Sequence, residues 1–131
     1  MEMYDQNDYD NCIVCLNDIV ENKSDPEYSA KAIYMISEIY LNEYKEYNIS
    51  KSFLNQIIID YSDTETAKKA LFTIAYINAN YLELFTESIR YYSEFLDKYP
   101  NDDLIPSVKY ELENLNVIQN SIDSLIIINQ N

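Results

Sequence analysis

Apolar positions along this chain recur at helical spacing. In the stretch 30–44, "AKAIYMISEIYLNEY", Ala32, Ile33, Ile36, Ile39 and Tyr40 fall on one face; in 50–59, "SKSFLNQIII", Phe53, Leu54, Ile57 and Ile58 do the same. The run "QIIID" is β-branched enough to be read as a strand. Its register with "DIVE" near residue 20 and "EFLD" near residue 95 makes helix the better reading. Turn signals separate these patterns: "SDPEYSA" from 24, "YSDTETA" from 61 and "YPNDDLIPS" from 99. Asp25 can cap a helix with Pro26 in its first position, and Ser62 with Glu65 has the spacing of a capping box. Pro106 is compatible with a first turn that starts after Asp102 or Asp103.

The patterns repeat. Leu16 and Leu54, Ile19 and Ile57, Ser24 and Ser62, Ala32 and Ala70, and Ile36 and Ile74 are each 38 residues apart by subtraction. The same step carries Tyr61 to Tyr99, Phe72 to Tyr110, Ile74 to Leu112 and Ile77 to Leu115. One offset that holds over two steps and matches residue classes marks an internal repeat, each unit holding two helices. The fold expected is all-α: an array over residues 1–131 of about seven helices in antiparallel hairpins, stacked as a short right-handed α-solenoid. The units run roughly 9–47, with a partial first unit, then 48–85 and 86–115, and a capping helix is expected over 117–128.

The repeat resembles the tetratricopeptide repeat (TPR) family, with its small residue between two helices and a proline after the second. Leu71, Ile74, Ala75 and Asn78, then Ser88, Tyr92 and Pro100, match the pattern in one unit; Ile33, Ile36, Ser37 and Tyr40, then Ser50, Leu54 and Ser62, match it in another. The resemblance spans roughly residues 9 to 115, with a unit longer than the usual 34 residues or so. It implies that the first helix of each unit lines a concave groove. The groove residues it implies are Lys31, Tyr34, Glu38 and Asn42, then Lys69, Phe72, Tyr76 and Asn80, and last Ser107, Tyr110 and Asn114. Tyrosines and amides suit capture of an extended peptide or partner helix, giving broad apolar contact with hydrogen bonds to the backbone. A chain with 14 tyrosines also places some on every face, so aromatic residues at helical spacing can equally be core. The subclass that clamps a C-terminal carboxylate uses clustered Lys, Arg and Asn, which Glu38 and the aromatics here do not supply. The "KYPN" ending of the fifth pattern, followed by "LIPSVKYELENL", is most similar to bacterial cell-envelope TPR domains of the outer-membrane assembly lipoprotein and Tol-Pal-associated coordinator types. Those families imply a scaffold without catalysis.

Composition narrows the chemistry. With 23 acidic and 9 basic residues the net charge is −14, which disfavours nucleic acid and anionic lipid as partners. Glycine is absent, so dinucleotide and P-loop fingerprints are excluded. Histidine is absent too, which removes Ser-His-Asp and Cys-His arrangements within the chain. The acids are spread along the sequence without a calcium-loop spacing, and no cofactor, metal or catalytic residue is assigned. Paired carboxylates of a glycosidase type are disfavoured because a solenoid face offers no pocket to raise a pKa. No apolar run approaches the 18 or so residues of a membrane span. The opening "MEMYDQNDYD" has no secretory signal pattern, so the expectation is a cytoplasmic protein, or an envelope protein if the chain is a fragment.

Cys12 and Cys15 form a Cys-x-x-Cys pair. Cys12 stands 38 residues before Ser50 and 76 before Ser88, at the small-residue position where two helices approach. Cys15 stands at the position of Phe53 and Tyr91, where bulk is expected to be buried. Packing is therefore favoured over a redox or zinc role. The first pattern, Tyr9 to Glu21, matches the second helix of a unit, with its partner reduced to "MEMYDQN"; a piece of a longer protein is expected. At the other end Glu113 replaces the small Ser37 and Ala75, and Ile118, Ile122, Leu125 and Ile126 are expected to cover the array's open end. The alternative is self-association through that apolar helix. For function, the expectation is a protein or peptide partner held in the groove, with an accessory positioning module of a larger envelope protein or enzyme as the alternative.

Overall fold

The computed structural model describes residues 6–22 and 25–129, and among them every regular element is an α-helix. The helices are α1 (Gln6–Asn22), α2 (Pro26–Asn42), α3 (Tyr47–Asp60), α4 (Glu65–Asn80), α5 (Phe85–Lys98) and α6 (Ile105–Asn129). Ser24 and most of the "MEMYDQN" segment lie outside the described residues.

Nearby side chains cap the starts of α2, α4 and α6. The Asp25 side chain accepts from the Glu27 amide at 2.8 Å, with Pro26 opening α2, as a cap followed by a first-turn proline requires. Asp102 accepts from the Leu104 amide at 3.0 Å ahead of α6, which places Pro106 harmlessly in the first turn. The "QIIID" stretch is helical, as its register required. At α4 the expected box of Ser62 with Glu65 does not form. Thr64 takes the role instead, its Oγ1 accepting from the Ala67 amide at 3.2 Å.

Six helices are present among the described residues, where about seven were expected. Residues 117–128 are no separate cap: they continue α6 without a break, because nothing between Pro106 and Asn129 is a proline or glycine. Nor do they cover an apolar face. Ile118, Ile122, Leu125 and Ile126 are 40%, 36%, 61% and 50% exposed.

The chain divides into two compact units, Met1–Ala70 and Leu71–Asn131, the border running within α4. In the first, α1 packs on α2 and α2 on α3, around Ala30, Ile33, Ile36, Leu54 and Ile57. In the second, α5 packs on α6, and Leu71, Ile74, Ile77, Tyr92, Phe95 and Val108 are buried. The same hydrogen bond ties one helical pair in each. The buried Ser50 hydroxyl donates to the Ser37 carbonyl at 2.8 Å, and the buried Ser88 hydroxyl donates to the Ala75 carbonyl at 2.7 Å. A small residue here lets two helix backbones approach, and its hydroxyl is satisfied by the helix it meets.

The turns repeat as well. Lys45 and Glu83 both adopt φ 54°, in a left-handed conformation that glycine usually fills. Around them the Tyr44 and Leu82 amides donate to the carbonyls of Ile39 and Ile77, each at 3.2 Å. With no glycine in the chain, each turn carries the strain of a Cβ in this region, about 1 kcal/mol.

Candidate interaction surface

The groove residues implied by the sequence divide between the units. On α2, Lys31, Glu38 and Asn42 are exposed and Tyr34 is half-buried. The Lys69 ammonium, on the first turns of α4, lies 4.7 Å from the centroid of the Tyr34 ring. This cation–π contact brings together two residues of the expected surface, from equivalent helices of successive repeats.

In the second unit Phe72 turns inward. Its ring meets the buried Tyr92 edge-to-face at 5.5 Å, so its first role is packing. Burial, then the negative charge of Glu111 and the neighbouring Tyr76, push the Tyr92 hydroxyl well above the ordinary tyrosine range, so it stays protonated. Tyr76 is 40% exposed and Tyr110 64%. Ser107 and Asn114 are exposed on α6. The Asn80 side chain donates to the Tyr76 carbonyl at 3.1 Å, so part of its hydrogen-bonding capacity goes to the last turn of α4. Asn80 and Asn114 nonetheless border one recess of about 460 Å³, with Phe85, Glu111 and Leu115 around it.

A second concave surface was not anticipated. Between α1 and α2 lie two recesses, of about 850 and 540 Å³, whose lining among the described residues comes from α1 and α2. The larger includes Leu16, Ile19, Tyr28, Lys31 and Met35; the smaller includes Cys12, Cys15, Leu16, Met35, Glu38 and Ile39. Lys31 and Glu38 thus edge this cleft. Cys15, expected among buried bulk, is exposed, and Cys12 is only half-buried; both are free thiols. Among the described residues lining this side of α1 none belongs to a second covering helix. The signal was present in the repeat register, since Cys12 matches Ser50 and Ser88, which each need a partner helix.

α1 is held to the hairpin by aromatic contacts. The Tyr44 hydroxyl donates to the Asp10 carboxylate, and the Tyr9 and Tyr40 rings pack against Tyr44 at 6.2 and 5.4 Å. Desolvation, then the hydrogen bond and charge of Asp10, push the Tyr44 hydroxyl up to about 12. Among the described residues no three metal-binding side chains of the His, Cys, Asp and Glu types gather at one point. No helix of the described residues is long and apolar enough to cross a membrane. No family model matches the chain, and no curated protein matches it in sequence.

Proposed function

We propose that this chain is a non-catalytic protein-interaction scaffold of tetratricopeptide type, which holds an extended peptide or partner helix against the first helices of its hairpins. The observation that carries this reading is the recurrence, one repeat apart, of the same buried serine-to-carbonyl bond at Ser50 and Ser88. That bond seats the second helix against the first on one side. Elsewhere on these first helices, Asn42 of α2, Tyr76 and Asn80 of α4, and Tyr110 and Asn114 of α6 lie at the surface. Tyrosine rings give apolar area at low entropic cost, and amides can pair with a peptide backbone.

The test is selection of phage-displayed random peptides on the full chain, followed by fluorescence polarisation of the enriched peptides. A variant with Tyr76→Ala and Tyr110→Ala is expected to lose at least tenfold in affinity with an unchanged circular dichroism spectrum, as removal of two ring contacts implies. Phe72 is left intact because its loss would disturb Tyr92. Failure to enrich any sequence, or equal binding by the variant, would refute the reading.

A further inference from the structure

The repeat register marks the cleft between α1 and α2 as a place for a further helix. Ser50 and Ser88 each meet the carbonyl of a preceding helix, whereas Cys12, their equivalent in α1, lines the open recess of about 540 Å³. Lys69 reaches the Tyr34 ring on the preceding first helix, whereas Lys31, its equivalent, lines the adjoining recess of about 850 Å³. Two positions that contact a first helix elsewhere in the chain therefore point into this cleft.

The molecule carries a helical segment suited to it. From Val117 to Asn129 every residue of α6 except Gln119 is exposed. Ile118, Ile122 and Leu125 form a stripe at alternating steps of four and three, the pattern by which one helix seats on another. The Ser121 hydroxyl is already satisfied by the Val117 carbonyl at 3.0 Å, so it can be covered without losing a partner. Lengths agree: the segment spans roughly 20 Å at 1.5 Å per residue, and the α1 wall from Asp8 to Asn22 spans about the same. Charge agrees too. The cleft is rimmed by Asp8, Asp18, Glu21 and Glu38, which oppose an acidic occupant, while the segment bears a single charge, Asp123. Among the described residues that line the cleft Lys31 is the one cation, and it has the sign that Asp123 needs.

We propose that residues 117–129 of one copy dock in the α1–α2 cleft of a second copy, with Ile118, Ile122 and Leu125 against Leu16, Met35 and Cys15. Inserted segment and receiving cleft are different surfaces, so the contact is heterologous. A bound pair keeps one free segment and one free cleft, and association continues past two chains unless a ring closes. A single helix laid in a groove buries roughly 1,000 Å², the low end for a specific interface and the size class of weak, transient contacts.

Sedimentation velocity of the full chain, from low micromolar to millimolar, tests this with two variants. Leu125→Glu spoils the segment and Met35→Glu spoils the cleft, both at solvent-exposed positions. The wild-type mass is expected to rise with concentration beyond twice the 15.5 kDa of one chain. Each variant alone should remain monomeric, and an equal mixture of the two should recombine and stop at two chains, because only one sound segment and one sound cleft can meet. A wild-type chain that stays monomeric overturns the proposal. So does a Met35→Glu chain that assembles like wild type, which would mean segment-to-segment pairing, or a mixture that does not recombine. If either variant loses its helical spectrum, maleimide labelling of Cys12 and Cys15 in the wild-type chain decides instead. Labelling that slows as concentration rises supports docking over the thiols, and a rate independent of concentration refutes it.

Discussion

Glu27 is the residue on which the junction between successive repeats in the first unit turns. It stands in the first turn of α2, yet its carboxylate caps the start of α4. Oε1 accepts from the Glu65 amide at 2.8 Å, and Oε2 accepts from the Thr66 amide at 3.3 Å and the Thr66 hydroxyl at 2.7 Å. These donors belong to the N-terminal turn of α4, where a negative charge is favoured by the helix dipole and the unmatched amides. Partial burial raises its pKa, but the bonds from Thr66 and Glu65, with the charge of Lys31, outweigh that and hold it below the ordinary glutamate range. Replacement by alanine returns the exposed amide to water and leaves the buried Thr66 hydroxyl unpaired. Losing a cap costs about 1 kcal/mol and an unpaired buried hydroxyl about the same, so Glu27→Ala should destabilise by roughly 2 kcal/mol. Glu27→Gln keeps one acceptor and should cost about half as much. Thr66→Val, which is buried and isosteric, should cost about 1 kcal/mol alone and little in the Glu27→Ala background, the mark of a shared interaction. A depressed carboxylate stabilises above the unfolded pKa and loses that stabilisation as pH falls through its folded value, so the gap between wild type and Glu27→Ala should close below roughly pH 4. Urea unfolding followed by far-ultraviolet circular dichroism measures all of this. A loss under about 0.5 kcal/mol at neutral pH, or a gap unchanged at pH 3, would refute the capping account.

Three further predictions use the same assay. Lys45→Gly and Glu83→Gly should each stabilise by up to about 1 kcal/mol, because the positive φ of both residues costs a side chain and not glycine; destabilisation by both would show that the turn is unstrained. Ser50→Ala and Ser88→Ala should each cost about 1 kcal/mol through loss of a buried bond, whereas Asn78→Leu should be neutral or stabilising, since neither end of its buried amide has a hydrogen-bond partner; a loss above about 2 kcal/mol for Asn78→Leu would refute this. Because the raised Tyr44 and Tyr92 hydroxyls favour a protonated folded state, stability should hold up to about pH 10 and fall from there towards pH 12; in Tyr44→Phe the fall should be shallower, and an identical alkaline profile would remove Tyr44 from the account.

The helices and their register were legible in the sequence because both are set within a few residues. Asp25 beside Pro26 starts α2, Asp102 prepares α6, the three-and-four spacing of Ile33, Ile36 and Tyr40 defines a face, and one 38-residue step aligns Cys12, Ser50 and Ser88. Tertiary structure decided what depends on a neighbour. Periodicity marks which side of a helix is apolar, and it says nothing about whether another helix lies on that side. So Cys15 and the stripe from Ile118 to Leu125 read as covered and are exposed, while Phe72 read as groove surface and is spent on Tyr92. The start of α4 has the same origin. Ser62 and Glu65 hold the right local spacing for a cap, but the Glu27 carboxylate, one repeat away in sequence, reaches the Glu65 and Thr66 amides, and a charged acceptor at a helix N-terminus binds its amides more strongly than a neutral hydroxyl.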